Sequence, residues 1–523
     1  MNLQQDFETF DAEAVNSKAA RDLYAARTKI HPKRVAGRFR NLKWWIMAVT
    51  LAIYYLTPWL RWDRGPFAPD QAVLIDLANR RFYFFFIEIW PHEFFFVAGM
   101  LVMAGIGLFF VTSTVGRAWC GYTCPQTVWV DLFLVVERFI EGDRNARIKL
   151  DATPMSAAKF GKRFIKHAAW ILIAVATGGA WIFYFADAPT LFVDLFTGQA
   201  AFVAYATVGV LAATTYIFGG LMREQVCTYM CPWPRIQAAM LDEHSLTVTY
   251  NGWRGEPRSR HAKKARAAGE TVGDCVDCNA CVAVCPMGID IRDGQQLECI
   301  TCALCIDACD NVMAKLGLEQ GLISYTTLND YEYNMALAGA PVAAVSSSAS
   351  RASVDPSKVR RADGSLAESV HYTDWRSFIR PRTFIYAVIF GLIGLALLYA
   401  LVNRERLDVN VLRDRNPIYV VLSDGSIRNG YDVKILNMRA EPRTFRITID
   451  GLDNAMIKQS GSEADEKSTI DIEVKPDQLR SVKLFVRVPP TAVKQTEQEF
   501  RFVVSDLDGE DEAAYTARFG APK

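Results

Sequence analysis

Apolar residues are unevenly spread along this chain. They gather into five runs, residues 43–60, 92–112, 164–186, 200–221 and 384–402, and charge fills the gaps. A bilayer core takes about 20 apolar residues of helix. Each run has the length and lack of charge of a membrane span, rather than of a buried helix in a soluble protein. The second run, HEFFFVAGMLVMAGIGLFFVTST, carries Gly99, Gly105 and Gly107, small residues of the kind that let membrane helices pack closely. Beyond residue 404 the period changes to two. PIYVVLSDGSIRNGYDVKILN (417–437) alternates, with turn signals at Asp424-Gly425 and Asn429-Gly430, and TFRITIDG and SVKLFVRVPP follow. Short strands at such spacing predict a β-sandwich of roughly 100 residues. Residues 338–353, AGAPVAAVSSSASRAS, read as a flexible linker. Such a tether would let the segment before it move against the membrane.

Composition narrows the class. The chain has 523 residues, 51% of them hydrophobic, and a net charge of +1, which favours neither a nucleic-acid binder nor a charged disordered chain. The first 40 residues are polar and lack the apolar core of a signal peptide, so the first run is expected to act as an uncleaved anchor. Lys and Arg set the expected sidedness. Residues 1–43 hold nine and 113–166 hold nine, whereas 187–199 hold none and 61–91 hold four against four acids. The N-terminus, the 113–166 loop and the 222–383 segment are thus expected in the cytoplasm. With five spans, residues 404–523 fall on the opposite side.

The twelve cysteines, at 120, 124, 227, 231, 275, 278, 281, 285, 299, 302, 305 and 309, cluster at short repeated spacings, which reads as metal ligation in a reducing compartment. DCVDCNACVAVCP (274–286) and ECITCALCIDACD (298–310) are each C-x2-C-x2-C-x3-C. Bacterial two-cluster ferredoxins have this spacing, and the fourth cysteine of each run there serves the other cluster. One 4Fe–4S cluster is therefore expected on Cys275, Cys278, Cys281 and Cys309, the other on Cys299, Cys302, Cys305 and Cys285. Structural zinc would use C-x2–4-C pairs instead. Asp310 stands where a second proline would match Pro286.

The remaining cysteines form a second repeat. WCGYTCPQTVWV (119–130) and VCTYMCPW (226–233) each contain C-x-Y-x-C-P directly after an apolar run. Both stretches leave the membrane at the same face, so Cys120, Cys124, Cys227 and Cys231 would converge if the spans pack together. A proline suits the first turn of a helix. A C-x3-C pair starting a helix would put both thiols on one face, at a terminus that favours thiolate. Soft thiolates select Cu(I), so the four are candidate catalytic and copper-binding residues. A third iron–sulfur cluster, a redox disulfide and plain burial are the alternatives. Met222, Met230 and Met240 lie nearby as potential thioether ligands or as packing; His92, Glu93 and His167 read as interfacial residues.

RAWCGYTCPQTVW, CTYMCPWPRIQ, RGEP at 254–257, both cysteine runs, CIDACDNVMAKLG and SDGSIRNGY together resemble the CcoG family of bacterial cytochrome c oxidase accessory proteins, also called FixG or RdxA, over residues from about 40 to 523. The family usually continues into GLIRY, where this chain has GLISY at 321–325. The resemblance implies an inner-membrane protein that serves assembly of a cbb3-type haem–copper oxidase. It further implies reduction of Cu(II) to Cu(I) for a copper-transporting P-type ATPase. Two other functions remain open: a quinol-oxidising electron-transfer subunit, a layout known from membrane polyferredoxins of nitrate-reductase systems, and a non-enzymatic scaffold. The expected fold is a multi-domain membrane protein. It has a cytoplasmic N-terminal segment (1–42), transmembrane helices one to four with the CxxxCP loops (43–221), a membrane-proximal segment (222–265), a ferredoxin-like domain (266–330), a linker (331–383), a fifth helix (384–402) and a periplasmic immunoglobulin-like sandwich (404–523).

Overall fold

The computed structural model describes residues 8–15, 28–340, 354–360, 366–374, 378–404, 406–439, 441–462, 466–476, 478–493, 495–507, 509 and 511–522. The chain forms two compact units, Met1–Leu60 with Gln71–Leu395, and Arg61–Asp70 with Ala396–Lys523.

The first unit opens with helices α1 (Arg38–Leu56), α2 (Phe95–Val115), α3 (Ala118–Tyr122), α4 (Pro125–Glu141), α5 (Arg144–Ala152), α6 (Ala157–Ile182), α7 (Ala188–Thr197), α8 (Phe202–Thr215) and α9 (Trp233–Met240). Helix α8 runs on as a π-helical stretch, Tyr216–Met222. Among the described residues, four helical segments are long and apolar enough to cross a membrane: Pro91–Val115, Ala157–Ile182, Phe202–Met222 and Pro381–Val402. They match four of the five expected runs. The other run lies in α1, which starts earlier, at Arg38, and is not among the four. Its first two turns carry Arg40 and Lys43, both buried, and both pair with Asp131 of α4 at 2.9 and 3.7 Å. That half of α1 is therefore held by ion pairs, which lipid could not replace. The loop between α1 and α2 holds an unforeseen antiparallel sheet, Val73–Asp76, Arg81–Phe84 and Ile87–Ile89.

Helix α4 organises the unit. Its buried Phe133 ring stacks on Trp170 of α6 at 5.5 Å. Gly219 and Gly220 pass over this pair so closely that a Cβ would stand 3.1 Å from Phe133 and 3.0 Å from Trp170, respectively. One turn further along α4, Glu137 is fully buried. It meets Arg147 at 3.0 Å, Arg223 at 2.9 Å and Lys166 at 3.7 Å. Glu141 meets Lys166 at 2.9 Å.

The cysteine-rich segment is held against these helices. Asp307, on the Leu304–Leu316 helix, accepts the N–H groups of Phe39 and Arg40 at 3.1 and 2.7 Å, capping α1 from outside its own sequence. Gly37 faces that carboxylate with no room for a Cβ. Phe10 N–H donates to the Cys278 carbonyl at 2.9 Å, and Lys33 N–H to that of Ala283 at 2.8 Å. Strand Thr247–Tyr250 pairs antiparallel with Ile323–Thr326. The mobility expected from a tether is therefore not built in: the segment is bonded to α1 and to the chain before it. Of the expected linker, residues 341–353 lie outside the described residues. Ala338, Ala340, Val354, Val359 and Val370 on either side pack with Trp253 and Met335.

The second unit is a two-sheet β fold. One sheet runs in the order Met456–Gln459, Leu479–Val488, Ile427–Asn437, Leu407–Arg413, with Val420–Val421 also paired to Ile427–Asn437. The other runs Thr469–Val474, Arg443–Asp450, Glu497–Asp506, Glu512–Gly520. The core follows the period of two: Tyr431, Val433 and Ile435, with Leu484 and Val486 of the neighbouring strand, pack with Phe445, Ile447, Phe502 and Val504 of the other sheet in one buried cluster. Gly425 forms the expected turn at φ 81°. Asn429-Gly430 does not turn; it lies inside the Ile427–Asn437 strand. Gly430 is needed there because Asp414 fills the space a Cβ would take.

Candidate redox site

The two cysteine runs adopt the same backbone. In each, the second and fourth residues after the first cysteine are left-handed: Asp277 and Asn279 at φ 51° and 57°, Thr301 and Ala303 at 50° and 59°. Such alternation turns successive N–H groups toward one point and builds an anion-holding nest. Thr301 N–H points to Cys299 Sγ at 3.4 Å. Cys275 receives the N–H of Asp277, Cys278 that of Ala280, and Cys285 those of Met287 and Ile289. Cys285, Cys299, Cys302 and Cys305 line one pocket together with Cys281. Cys309 lies within electrostatic reach of Cys281, Cys275 and Cys278.

Burial pushes these thiols up, Cys299 to about 11 and Cys285 to about 12. Apolar walls with inward amides suit thiolates whose charge is met by bound iron, not free thiolates. The donor set therefore fits iron–sulfur ligation. Arg292, only 7% exposed, adds a fixed cation beside the first run; it pairs with Asp290 at 2.6 Å and Asp277 at 2.7 Å. Arg254 of RGEP pairs with Asp274 at 2.7 Å, which fixes the entry to Cys275. Asp310 is not at a helix end: Leu304–Leu316 continues past it, and its carboxylate accepts Gly321 N–H at 2.9 Å. A proline there would remove a helical hydrogen bond.

The C-x-Y-x-C-P stretches lie where two apolar helices stop. The chain turns at Gly116, φ 63°, forms α3 with Cys120 inside it, and restarts as α4 with Cys124 as N-cap and Pro125 as first residue. Cys227 lies in a π-helical turn, Val226–Met230, and Cys231 ends it. Each pair thus straddles a helix break, and the expected single helical face is not what brings the thiols together. Cys227 lies within electrostatic reach of Cys124, Cys120 and Cys231. The expected lowering of thiol pKa is also reversed at two positions: burial pushes Cys120 to about 11 and Cys227 to about 12. Cys120 Sγ donates to Gln237 Oε1 at 3.0 Å. Cys124 is half-buried and Cys231 exposed. Among the described residues, no three His, Cys, Asp or Glu side chains close up as a ready ligand set for one metal ion.

The two repeats touch. A Cβ on Gly121 would stand 2.6 Å from the Ile300 carbonyl oxygen and 3.0 Å from Cys302 Cα. Tyr122 O–H donates to the Cys302 carbonyl at 3.3 Å, and Tyr325 O–H to that of Thr301 at 2.8 Å. Cys120 and Cys227 belong to the same apolar cluster as the ferredoxin-like cysteines. Sequence reading missed Gln237, Tyr325, Arg117 and Arg292. The first three could be found only from the fold, whereas Arg292 stands between the two cysteine runs. Other named candidates are structural. Met240 is buried at 4% exposure, Glu93 accepts Trp90 N–H at 3.0 Å, and His167 Nδ1 lies 2.8 Å from the Tyr216 hydroxyl.

Comparison with known proteins agrees with this architecture. Residues 222–328 match the family model "4Fe-4S dicluster domain", and residues 397–522 match the "IG-like fold at C-terminal of FixG". The chain is 64% identical over 513 residues to the nitrogen fixation protein FixG of Rhizobium meliloti (strain 1021), covering 98% of this chain and 96% of that one. Protein RdxB of Cereibacter sphaeroides is 52% identical over 485 residues, covering 93% and 94%, and protein RdxA of the same organism 51% over 467 residues, covering 89% and 91%. A crystal structure of a FixG-related protein from Vibrio parahaemolyticus aligns with 22% of this chain and 96% of its own, at 20% identity and a TM-score of 0.19. With three relatives above half identity across nearly their whole length, this chain belongs to the FixG/RdxA family.

Proposed function

We propose that this protein is a membrane-bound oxidoreductase that reduces Cu(II) to Cu(I) at Cys120, Cys124, Cys227 and Cys231 and serves assembly of a cbb3-type oxidase. Its proposed setting is the bacterial inner membrane. There α1 acts as a fifth membrane helix, the N-terminus and cysteines face the cytoplasm, and residues 404–523 face the periplasm, as the Lys/Arg distribution supports. The proposed cluster ligands are Cys275, Cys278, Cys281 and Cys309 for one 4Fe–4S cluster, and Cys299, Cys302, Cys305 and Cys285 for the other. When bound, each cluster supplies one-electron chemistry.

The observation that carries the reading is the direct packing of Gly121 and Tyr122 on Ile300–Cys302. It sets the first C-x-Y-x-C-P stretch against the proposed cluster loop. The chain's own part is then threefold. Inward amides hold the cluster thiolates, Gln237 orients the Cys120 thiol, and the accessible Cys124 and Cys231 meet the incoming ion. Thiolates favour Cu(I) over Cu(II), so the site holds the product of a one-electron reduction. The Cu(I) acceptor is proposed to be a copper-transporting P-type ATPase.

Serine at either cysteine pair should abolish Cu(I) binding and cupric reduction, with iron content and cluster absorption unchanged. Full copper reduction by a variant lacking all four thiols would refute the role of this site.

A further inference from the structure

A second cavity, of about 460 Å³, lies on the other side of the Cys299 loop. Its lining includes Arg117, Asp242, Glu243, Gln296, Cys299 and Thr301, with aliphatic side chains such as Leu241 and Ile291 over the rest. The volume and mixed lining are those of a small-molecule site.

Three buried polar atoms of this lining have no hydrogen-bond partner among the described residues: Arg117 Nε, Gln296 Oε1 and Thr301 Oγ1. Arg117 and Thr301 are each only 4% exposed. Buried polar groups are almost always paired, so three orphans in one cavity point to a ligand that completes them. Two can donate, Arg117 N–H and Thr301 O–H; Gln296 Oε1 only accepts. The matching ligand is a ring with an oxygen that accepts and a hydroxyl that donates.

Position narrows the class. Arg117 follows the end of α2 by two residues. Asp242 is ion-paired to Arg380, and to Arg382 at 3.3 Å, at the start of the Pro381–Val402 span. Arg380 also holds the Ser113 carbonyl at the end of α2. The cavity therefore lies level with the ends of two apolar spans, within reach of a lipid-soluble donor.

We propose that this cavity binds a membrane quinol, the reductant that feeds the dicluster segment. The proposal rests on the iron–sulfur reading above and names its electron donor. Oxidation of one quinol to quinone releases two electrons and two protons. When bound by the cysteines of the two runs, the clusters would supply the two one-electron acceptors on the Cys299 side of the cavity, and the two protons would leave by way of the Glu243 carboxylate to water.

The test is photolabelling of the full-length protein in detergent with a short-chain azido-quinone, followed by peptide mapping. Label should fall on peptides containing residues 238–247 or 291–301. Unlabelled short-chain quinone should compete for it, and NADH or FMN should not. Gln296→Leu and Thr301→Val should each weaken the competing quinone about fivefold, as expected for one lost hydrogen bond. Leu241→Trp, which adds bulk to the cavity lining, should abolish labelling. Iron and sulfide are measured on the same samples. Wild-type iron with label elsewhere, with competition by NADH, or with labelling indifferent to Leu241→Trp overturns this proposal alone. Absence of iron from the wild-type protein overturns the iron–sulfur reading instead.

Discussion

Glu137 links the two thiol motifs without touching either. It sits on α4, the helix that starts at Cys124, and grips Arg223, four residues before Cys227. Gln126, in the first turn of α4, adds bonds to the carbonyls of Phe218 at 2.9 Å and Arg223 at 3.2 Å. Burial alone would raise the Glu137 carboxyl, but Arg223, Arg147 and Lys166 outweigh it and bring it from an ordinary 4.5 to about 2. A drop of that size corresponds to about 3 kcal/mol of stability. Glu137→Gln keeps the shape and removes the charge, leaving buried cations undercompensated, a loss in the range of about 3–5 kcal/mol for a broken buried pair. Because the folded pKa is depressed, the contribution is fully present above the ordinary value and is lost as pH falls toward about 2. Between pH 5 and 8 the deficit should therefore be constant. Thermal melts of the detergent-solubilised protein, followed by tryptophan fluorescence, should show the variant on the order of 5 °C lower across that range. A melt within about 1 °C of wild type, or a deficit that disappears at pH 5, would refute the assigned role of this carboxylate.

Gly121→Val should strain the contact with Ile300 and Cys302 by about 1–3 kcal/mol. Its signature is slowed copper reduction with normal iron content; wild-type rates would show that this contact is not the electron route. Cys278→Ser and Cys302→Ser should each remove one cluster's iron and its reduced-state EPR signal, and full iron in both variants would overturn the ligand assignment. Reporter fusions after residues 150 and 450 should report opposite sides of the membrane; matching signals would end the proposed topology.

The sequence carried what is local. Fixed spacing marked both cysteine runs, because one loop must bend around one cube. Period two marked the strands Arg443–Asp450 and Leu479–Val488, because each sheet buries one face. It failed where distant segments decide. Asn429-Gly430 looks like a turn, but Gly430 serves to admit Asp414 within a strand. The lack of charge after Lys43 marks the apolar part of α1, but nothing local shows that Arg40 and Lys43 before it are committed to Asp131, far along the chain. The small-residue stretch suggested a mobile module, while Asp307 and the α1 N-terminus bind that module through residues no local pattern connects.

That fixed attachment bears on how the proposed copper site would work. Its thiols differ in access: Cys120 is buried, Cys124 and Cys227 are half-buried and Cys231 is exposed, with Cys120 and Cys227 packed on the apolar cluster that also holds the ferredoxin-like cysteines. An arriving ion would meet the exposed Cys231 first, and an electron would come from the dicluster segment that packs against Gly121. A hinged carrier would have to re-form the Gly121–Ile300 contact at every turnover. Here the hydrogen bond of Tyr122 to the Cys302 carbonyl already holds it. Donor and acceptor are then positioned in advance, and motion is needed only by the copper ion.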